Sequence, residues 1–422
     1  MEMHTLRFLK KRNVLAVLNA INQEKKLSRA QLARHTNLTP ATISNIVSKL
    51  ENAKIVRLIG PSESRRGRRP VMLQFNPNAF YLAGLDFGLS KAIAVIIDLH
   101  GNVLQKEHIP LSKKISRESV VQILVDLVER IRASNPQIGD KIKGIGISYP
   151  GLVDTESGTG LVAPNWPELN NLPLVRILQE KLNLFVCIEN DGACMTLGQA
   201  RFGVGLGSKN IFGIILGRGI GAGIIINGGI YHGLSSTAGE FGHLTVIPNG
   251  PTCGCGNQGC LEVVASGEAI ASSAVRLIQS GRATLIQDKS DGKLDNISAK
   301  IVAEAAAEGD VLAKELMTQA ANYIGIALAD VINILNPELV IFAGGLSASG
   351  KYFLDSIKET ARKRAYTFGV FRQPKFSLAE FGENANCIGA AALVLENMLD
   401  VAFQGTWGLP LSSKTVSQKQ IT

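Results

Sequence analysis

The chain has 422 residues, of which 45% are hydrophobic and 5% aromatic, and its formal net charge is +9. This length predicts two or three domains. No apolar run reaches the roughly 20 residues needed to cross a bilayer, which argues against a membrane protein. Three cysteines scattered through the body (Cys187, Cys194 and Cys387) are typical of core residues in a reducing compartment, so we expect a cytoplasmic protein.

The excess of basic residues is confined to the first fifth of the chain. Residues 1–78 hold 15 Lys and Arg against 4 Asp and Glu, a balance of +11, whereas the remaining residues have a balance of −2. A solvated surface on a small domain would give the same count. However, such asymmetry is typical of a nucleic-acid-binding module joined to a near-neutral partner.

Three consecutive helices are predicted in this basic segment. The first has apolar residues at helical spacing. The second starts at Ser28, where SRAQ forms a capping box with Gln31. The third starts after the N-cap Thr39, with Pro40 at its first position. Only the residues around HTNL separate the last two helices, which predicts a helix-turn-helix.

The third helix of this segment is the predicted recognition helix. It is expected to bury Ile43, Val47 and Leu50. Its opposite face then presents small polar side chains and one lysine, which suits a major groove. The candidate DNA-binding residues on that face are Thr42, Ser44, Asn45, Ser48 and Lys49.

A basic hairpin follows the recognition helix. KIVRLIG and PVMLQFN predict two strands of a wing, joined by PSESRRGRRP. The tip would enter a narrow minor groove or follow phosphates. Its candidate DNA-binding residues are Arg65, Arg66, Arg68 and Arg69. Pattern, turn, wing and charge together favour a winged helix-turn-helix over a three-helix packing module with a solvated loop.

The body of the chain predicts an α/β fold. YLAGLDFG with KAIAVIIDLHGNVL predicts a β-hairpin, and NIFGIILG with GIGAGIIINGGIYHG predicts a second. A helix is expected near residues 117–133, and the helix NYIGIALADVINILNP precedes the strand ELVIFAGG. Hairpins that open each of two halves are what two actin-like (ribonuclease H-like) α/β lobes require. Residues 281–297 are polar and are expected to form a surface connection.

Four segments are predicted from these patterns. Residues 1–78 form the winged helix-turn-helix domain. Residues 79–190 form the first lobe, completed by a helix at 386–400. Residues 191–385 form the second lobe, which carries a dimer surface, and residues 401–422 form a tail.

One histidine and three cysteines in GEFGHLTVIPNGPTCGCGNQGCLE predict a metal site. One imidazole and three thiolates fit tetrahedral zinc, one ion per chain. Four protein ligands leave no open position for water, so this zinc would be structural, a knuckle that holds Glu240 and Glu262 in place. A disulfide or a metal-free cluster is the alternative. The candidate metal ligands are His243, Cys253, Cys255 and Cys260.

Motifs along the whole chain resemble the ROK (repressor/open-reading-frame/kinase) family of sugar kinases and sugar-responsive repressors. They are DFGLSK, SYPGLVD, APNW, IENDGA, ILGRGIGAGIIING, AGEFGH, CGCGNQGCLE and NPELVIFAGG. The Cys-rich motif is among the most specific of them. The resemblance implies a sugar-kinase fold with a structural zinc knuckle, preceded by the winged helix of the repressor branch.

The resemblance also implies a monosaccharide site in a kinase-like cleft. In the family the matching histidine serves zinc through one ring nitrogen and the sugar through the other. Asp191 matches the base that deprotonates the sugar hydroxyl in the family's kinases. Carboxylates and amides suit paired hydroxyls and reject analogues that lack them. The residues matched to sugar contacts are Asn165, Asn190, Asp191, Glu240, His243 and Glu262.

The nucleotide side departs from the kinase pattern. The kinases' first phosphate turn is Asp-x-Gly-Gly-Thr, and here Leu89 stands in place of the second glycine. Arg218 replaces the threonine of Gly-Thr-Gly in the second turn, and AGGLS lacks a third glycine that is common at the adenosine turn. An arginine there would pair with a phosphate or form an ordinary salt bridge between the lobes. We therefore expect a catalytically silent homologue in which Asp191 is a vestigial base.

These departures favour a regulator over a kinase, and the resemblance implies a sugar-responsive transcriptional repressor of carbohydrate uptake or catabolism genes. Its expected partners are a palindromic double-stranded operator, a monosaccharide effector and a second copy, as a homodimer or a dimer of dimers, with no membrane partner. The intact Asp86-x-Gly88 turn resembles the xylose repressors more than the N-acetylglucosamine repressors. The alternative is an ATP-dependent sugar kinase with an accessory DNA-binding module. A zinc sensor is a third class, which the closed ligand set disfavours.

Overall fold

The computed structural model describes residues 2–61, 70–76, 79–88, 90–112, 115–366 and 372–402. These residues form two compact units. Unit 1 comprises the described residues of Met1–Gly207 and Asn384–Thr422, and unit 2 comprises those of Ser208–Glu383. Within the described ranges, none of the helices combines the length and the hydropathy that a membrane span requires.

The helices and strands alternate along most of the chain. The helices are α1 (Glu2–Glu24), α2 (Arg29–Thr36), α3 (Pro40–Asn52), α4 (Arg117–Ala133), α5 (Pro136–Gly139), α6 (Leu174–Leu182), α7 (Asp191–Phe202), α8 (Leu261–Ala265), α9 (Gly267–Gln279), α10 (Leu285–Lys289), α11 (Ala299–Ala307), α12 (Val311–Leu335), α13 (Lys351–Arg364) and α14 (Ala385–Ala402). The strands are β1 (Leu27–Ser28), β2 (Val56–Pro61), β3 (Val71–Phe75), β4 (Tyr81–Phe87), β5 (Lys91–Ile97), β6 (Val103–Pro110), β7 (Ile142–Tyr149), β8 (Leu152–Asp154), β9 (Thr159–Val162), β10 (Phe185–Asn190), β11 (Ile211–Leu216), β12 (Ile220–Ile226), β13 (Gly229–Ile230), β14 (Leu339–Ala343) and β15 (Lys375–Leu378).

The first part of unit 1 is a winged helix-turn-helix, as predicted. Helix α2 begins with the predicted capping box, in which Ser28 Oγ accepts from Gln31 N at 3.3 Å and Ser28 N donates to Gln31 Oε1 at 2.8 Å. The turn into α3 uses Asn37 in the left-handed region (φ 56°), and Thr39 caps α3. Strands β2 and β3 form the wing, and the short strand β1, which the sequence did not indicate, pairs with β3.

The rest of unit 1 is built on a five-stranded sheet in the order β10-β7-β4-β5-β6, with β8 and β9 forming a separate two-stranded sheet. The hairpin strands β4, β5 and β6 are antiparallel, while β7 and β10 add to β4 in parallel. One face packs against α4 and α6. The other face packs against α14 so closely that a Cβ on Gly84 would lie 1.8 Å from the carbonyl oxygen of Cys387. Residues 385–402 therefore belong to unit 1.

Unit 2 is built on a second five-stranded sheet, in the order β13-β12-β11-β14-β15. Strands β11 and β12 form the predicted hairpin, and β14 and β15 add to β11 in parallel. The core includes Phe212 and Phe342 from the sheet and apolar residues of the long helix α12. Each unit thus has a hairpin-led sheet of five strands covered by helices.

The structure differs from the expected segments at two places. The expected boundary at residues 190 and 191 would separate β10 from α7, whereas α7 stays in unit 1, where it packs against α14. Residues 281–297 are more than a surface connection. They include α10, whose Ile286 is fully buried, because one apolar side chain that faces the core is enough to anchor a short helix.

Candidate DNA-binding, metal and sugar sites

Helix α3 separates a buried apolar face from a polar one. The predicted core residues Ile43, Val47 and Leu50 are at most 1% exposed, and Ile46 is buried with them. Among the candidate contacts, Thr42 is half-buried, with its hydroxyl 2.9 Å from that of Thr39. The candidates on the solvent-exposed face are Ser44, Asn45, Ser48 and Lys49. That face carries small polar side chains and one lysine, with the small side chain of Ala41 beside them, which suits contact with base edges and phosphates.

The arginine-rich tip of the wing lies outside the described residues. Arg65, Arg66, Arg68 and Arg69 therefore stay predictions from the sequence. The strands on either side of them are present, and the described part of the wing starts again at Pro70. Leu89, in the first phosphate turn, also lies outside the described residues.

The four predicted metal ligands meet in unit 2. One ligand atom from each of them lies within 4.8 Å of every other. Cys253 Sγ is 3.6 Å from His243 Nδ1, and Cys255 Sγ is 3.8 Å from Cys260 Sγ. A disulfide requires about 2.05 Å between sulfurs, so these cysteines are free thiols. The cluster has the composition and spacing of a site that could hold a metal ion.

Local backbone hydrogen bonds position the ligands. Cys253 N donates to Asn257 O at 2.7 Å, Val246 N donates to Gly259 O at 2.9 Å, and Cys260 is the N-cap of α8. Burial raises the pKa of Cys260 to about 12, whereas the Asn257 backbone N–H lowers the pKa of Cys255. Buried thiols hold their protons until a cation replaces them, so metal binding here would release protons.

Glu240 and Glu262 flank this cluster. His243 uses Nδ1 toward Cys253, and its Nε2 lies 3.8 Å from Glu240 Oε2. Burial raises the pKa of Glu240, and the negative charge of Glu262 adds to this. Glu262 Oε2 accepts a hydrogen bond from Ile220 N at 2.9 Å. These three predicted sugar-binding residues therefore belong to one neighbourhood of unit 2.

The other predicted sugar-binding residues lie in unit 1. Asn190 is the N-cap of α7, where its side-chain oxygen accepts from Gly192 N at 2.9 Å and its Nδ2 donates to Gly151 O at 3.1 Å. Asp191 is the first residue of α7 and is half-buried. Asn165 is exposed, shortly after β9. Asn190 thus has a structural role as a helix cap, and Asp191 presents a carboxylate at the same helix end.

Asp86, at the end of β4, is held by two residues that the sequence reasoning did not single out. Ser148 Oγ and Asn386 Nδ2 donate to Asp86 Oδ1 at 2.7 Å and 3.1 Å. Burial raises the pKa of Asp86, and the two hydrogen bonds partly oppose this. Ser148 lies in the SYPG motif, but no local signal marks Asn386, which is 300 residues away.

The second phosphate turn is closed by a salt bridge within unit 2. Arg218 Nε donates to Glu268 Oε2 at 2.9 Å, so the alternative of a salt bridge between the lobes is wrong. The backbone amides of Gly267 and Glu268, at the start of α9, donate to the carbonyl oxygens of Gly217 and Arg218 at 2.9 and 3.1 Å. Glu268 lies outside all of the quoted family motifs, so the sequence gives no local signal for this pairing.

Comparison with known proteins agrees with this architecture. The ROK family pattern matches residues 82–397, and the MarR family pattern matches residues 11–67. The xylose repressor of Caldicellulosiruptor bescii is 34% identical over 94% of this chain and 98% of its own.

The solved structures that resemble this one include a regulator and a kinase. A ROK family transcriptional regulator described as a homologue of the E. coli MLC protein has a TM-score of 0.78 and 29% identity, and the alignment covers 94% of this chain and 99% of that one. A ROK family glucokinase from Streptomyces griseus, in complex with glucose and AMPPNP, has a TM-score of 0.66 and 31% identity over 74% of this chain and 98% of its own. The chain belongs to the ROK family and carries a MarR-type winged helix at its N-terminus.

Proposed function

We propose that the protein is a sugar-responsive DNA-binding repressor that acts on carbohydrate uptake or catabolism genes. This proposal rests on the observation that one chain contains both a winged helix and a ROK family domain. The recognition helix of the winged helix has an exposed polar face. The relative named xylose repressor matches both parts over nearly its whole length. A regulator of this kind acts in the cytoplasm, where the operator is.

The geometry of Gly217-Arg218-Gly219, at the position of the kinases' second phosphate turn, supports the proposal that the protein lacks kinase activity. Amides at the N-terminus of a helix bind phosphate when they point at the anion. Here the amides of Gly267 and Glu268 are used by carbonyl oxygens of the turn itself. The carboxylate of Glu268 offsets the positive charge of Arg218. The arginine therefore attracts a nucleotide phosphate less than an unpaired arginine would.

The sugar-binding set is proposed from the family match. In unit 2 it comprises Glu240, His243 and Glu262, and in unit 1 it comprises Asn165, Asn190 and Asp191. Carboxylate and amide groups distinguish hydroxyl positions because an analogue that lacks a hydroxyl leaves them without a partner. The name of the C. bescii relative favours xylose as the effector.

We propose that the cluster of His243, Cys253, Cys255 and Cys260 binds zinc. With Zn–S near 2.3 Å and Zn–N near 2.0–2.1 Å, a tetrahedron places two sulfurs about 3.8 Å apart and a sulfur and a nitrogen about 3.6 Å apart. The Cys255–Cys260 and Cys253–His243 distances of 3.8 and 3.6 Å fit these values. Four protein ligands make this a structural site, which keeps the His243 ring turned with Nε2 toward Glu240.

Regulation follows from linkage between the two ligands. If sugar changes the affinity for operator by some factor, operator changes the affinity for sugar by the same factor, typically about 5- to 150-fold. Winged-helix regulators read palindromic sites as dimers, with half-sites about 34 Å apart. We therefore propose a homodimer, or a dimer of dimers, on a palindromic operator.

The deciding experiment is a DNA titration of the purified protein against its own upstream region. It is run with xylose, glucose or N-acetylglucosamine, each with and without ATP. One sugar is expected to shift the operator affinity at least about fivefold, with no contribution from ATP. Absence of DNA binding even at low salt would overturn the proposal.

One observation keeps a kinase as the second candidate. Asp191 retains a half-buried carboxylate at the start of α7, where a general base would be needed. A kinase would consume the sugar with ATP, and Asp191→Asn would abolish this turnover. A coupled assay of sugar-dependent ADP formation on the same preparation distinguishes the two candidates.

A further inference from the structure

We propose that helix α7 carries the sugar signal to the DNA-binding module, and that Asn22 on α1 is the coupling contact. This inference rests on the proposed function. The N-terminal end of α7 holds Asn190 and Asp191, and its last turn holds Arg201. Asn22 Nδ2 donates to the carbonyl oxygen of Arg201 at 3.0 Å. One helix of about 18 Å therefore has a proposed sugar ligand at one end and the DNA-binding module at the other.

Asn22 joins three elements of unit 1. Besides its bond to α7, its Oδ1 lies 3.2 Å from His100 Nδ1, in the turn between β5 and β6. The His100 ring meets the ring of Phe75, on the wing strand β3, edge-on at a centroid distance of 5.3 Å. Asn22 is only 5% exposed. A buried amide that loses a partner costs more than a solvated one, so this contact is sensitive to small shifts of α7.

Helix α7 is packed tightly along most of its length, so we expect it to shift as a rigid body. Its residues from Gly192 to Arg201 are all buried. A Cβ on Gly389 of α14 would lie 1.7 Å from the carbonyl oxygen of Cys194, so the two helices touch backbone to backbone. The buried ion pair of Arg201 with Glu396 ties the far end of α7 to α14. Close-packed elements shift between discrete arrangements rather than deform, so a displacement at Asp191 reaches Arg201.

The contact has a consequence that a purely structural role would lack. A residue that only supports the fold changes stability and leaves the sugar dependence of operator binding intact. A coupling residue changes the ratio of operator affinities with and without sugar. The two roles are therefore separated by measuring both ligands on the same variant.

The test compares Asn22→Ala with Asn19→Ala, a half-buried asparagine of the same helix. Operator Kd is measured at fixed salt with and without xylose, glucose or N-acetylglucosamine, and sugar affinity is measured by calorimetry. In Asn22→Ala we expect the ratio of operator affinities to fall below about twofold, while each ligand alone binds within about threefold of wild type. Asn19→Ala is expected to keep the wild-type ratio.

The proposal is overturned if Asn22→Ala keeps the wild-type ratio of operator affinities with and without sugar. It is also overturned if Asn19→Ala lowers that ratio as much as Asn22→Ala does. If Asn22→Ala does not fold, the coupling is tested by hydrogen exchange of backbone amides in the wild type, with and without sugar. Sugar is expected to change amide exchange in residues 20–24 as well as in residues 199–203, and unchanged exchange in residues 20–24 would contradict the coupling.

If calorimetry finds no sugar bound to the wild type, the proposed function fails and this inference fails with it. If sugar shifts operator affinity independently of Asn22, only the inference fails.

Discussion

The Arg201 guanidinium and the Glu396 carboxylate form an ion pair in which each side chain is only 6% exposed. Arg201 Nε donates to Glu396 Oε1 at 2.8 Å, across 195 residues of sequence. The pair joins the last turn of α7 to α14. Two charges that are buried together depend on each other, since either one alone would be left without compensation in a medium of low polarity.

Removal of one partner is expected to destabilise unit 1 strongly. Glu396→Ala leaves the Arg201 charge buried, so we expect the free energy of unfolding to fall by about 3–5 kcal/mol in urea titrations. The double variant Arg201→Met with Glu396→Leu is expected to recover most of this loss. Glu359→Ala serves as the control, because it breaks the exposed, solvent-screened pair with Lys363 and is expected to leave the free energy of unfolding nearly unchanged. Equal losses in both single variants would contradict the role assigned to burial.

Metal content provides a second prediction. The purified protein is expected to contain one zinc per chain by elemental analysis, and Cys260→Ser is expected to lose it, because Cys260 is a fully buried member of the cluster. A chelator should then lower the melting temperature of the wild type but not that of Cys260→Ser. Cys187→Ser, outside the cluster, is the matched control and should keep its zinc. Zinc retained in Cys260→Ser would show that the ion binds elsewhere.

Salt dependence tests the DNA-binding face. Lys49→Ala is expected to weaken operator binding and to reduce the slope of log K against log salt concentration by about one, since one phosphate contact is lost. Arg68→Ala and Arg69→Ala, in the tip of the wing, are each expected to do the same. Lys300→Ala removes an equal charge from an exposed position in α11, and its slope should match that of the wild type. A slope that the two arginine substitutions leave unchanged would remove the wing tip from the interface.

The buried carboxyl of Asp86 predicts a dependence of stability on pH. Its pKa is raised in the folded protein, so its contribution to stability is present at low pH and is lost as pH rises through the raised pKa. Asp86→Asn keeps an oxygen for Ser148 and Asn386, and we expect it to raise the free energy of unfolding at pH 8, with a smaller gain at pH 4.

Asp154 provides a control of opposite sign for this experiment. The hydroxyl and backbone N–H of Ser157 lower the pKa of Asp154, and the backbone N–H of Glu156 contributes. Its contribution to stability is therefore present above its ordinary pKa and is lost as pH falls through the lowered pKa. Asp154→Asn is expected to reduce stability at pH 8. If both variants shift stability in the same direction at pH 8, burial is not what governs Asp86.

Features that depend on near neighbours in the sequence were predicted well. The capping box of Ser28 and Gln31, the cap at Thr39 and the hairpins require only residues a few positions apart, and the structure confirms them. The cysteine cluster was also predicted, because short spacings leave few ways to place three thiols. These are the cases in which local chemistry is sufficient.

Contacts between distant segments could not be predicted. Asn22 bonds to the backbone of a residue 179 positions away, and Asp86 to a side chain 300 positions away. Neither partner carries a local motif, and an amide that is buried looks the same in the sequence as one that is exposed. Arg218 was recognised as unusual, but its partner Glu268 became identifiable only when the fold brought α9 to the turn. Long-range polar pairing is set by topology, which a single sequence does not specify.

The discontinuity of unit 1 has a consequence for how the protein is made. The chain leaves this unit at Gly207 and returns at Asn384. A ribosome that adds about 5–20 residues per second needs roughly 10–35 s to produce the intervening segment. Throughout that interval one face of the first sheet, and the side of α7 that meets Gly389, lack the helix that covers them. The winged helix emerges first, yet the helix that its Asn22 contacts is secured only by nearly the last described residues to be synthesised.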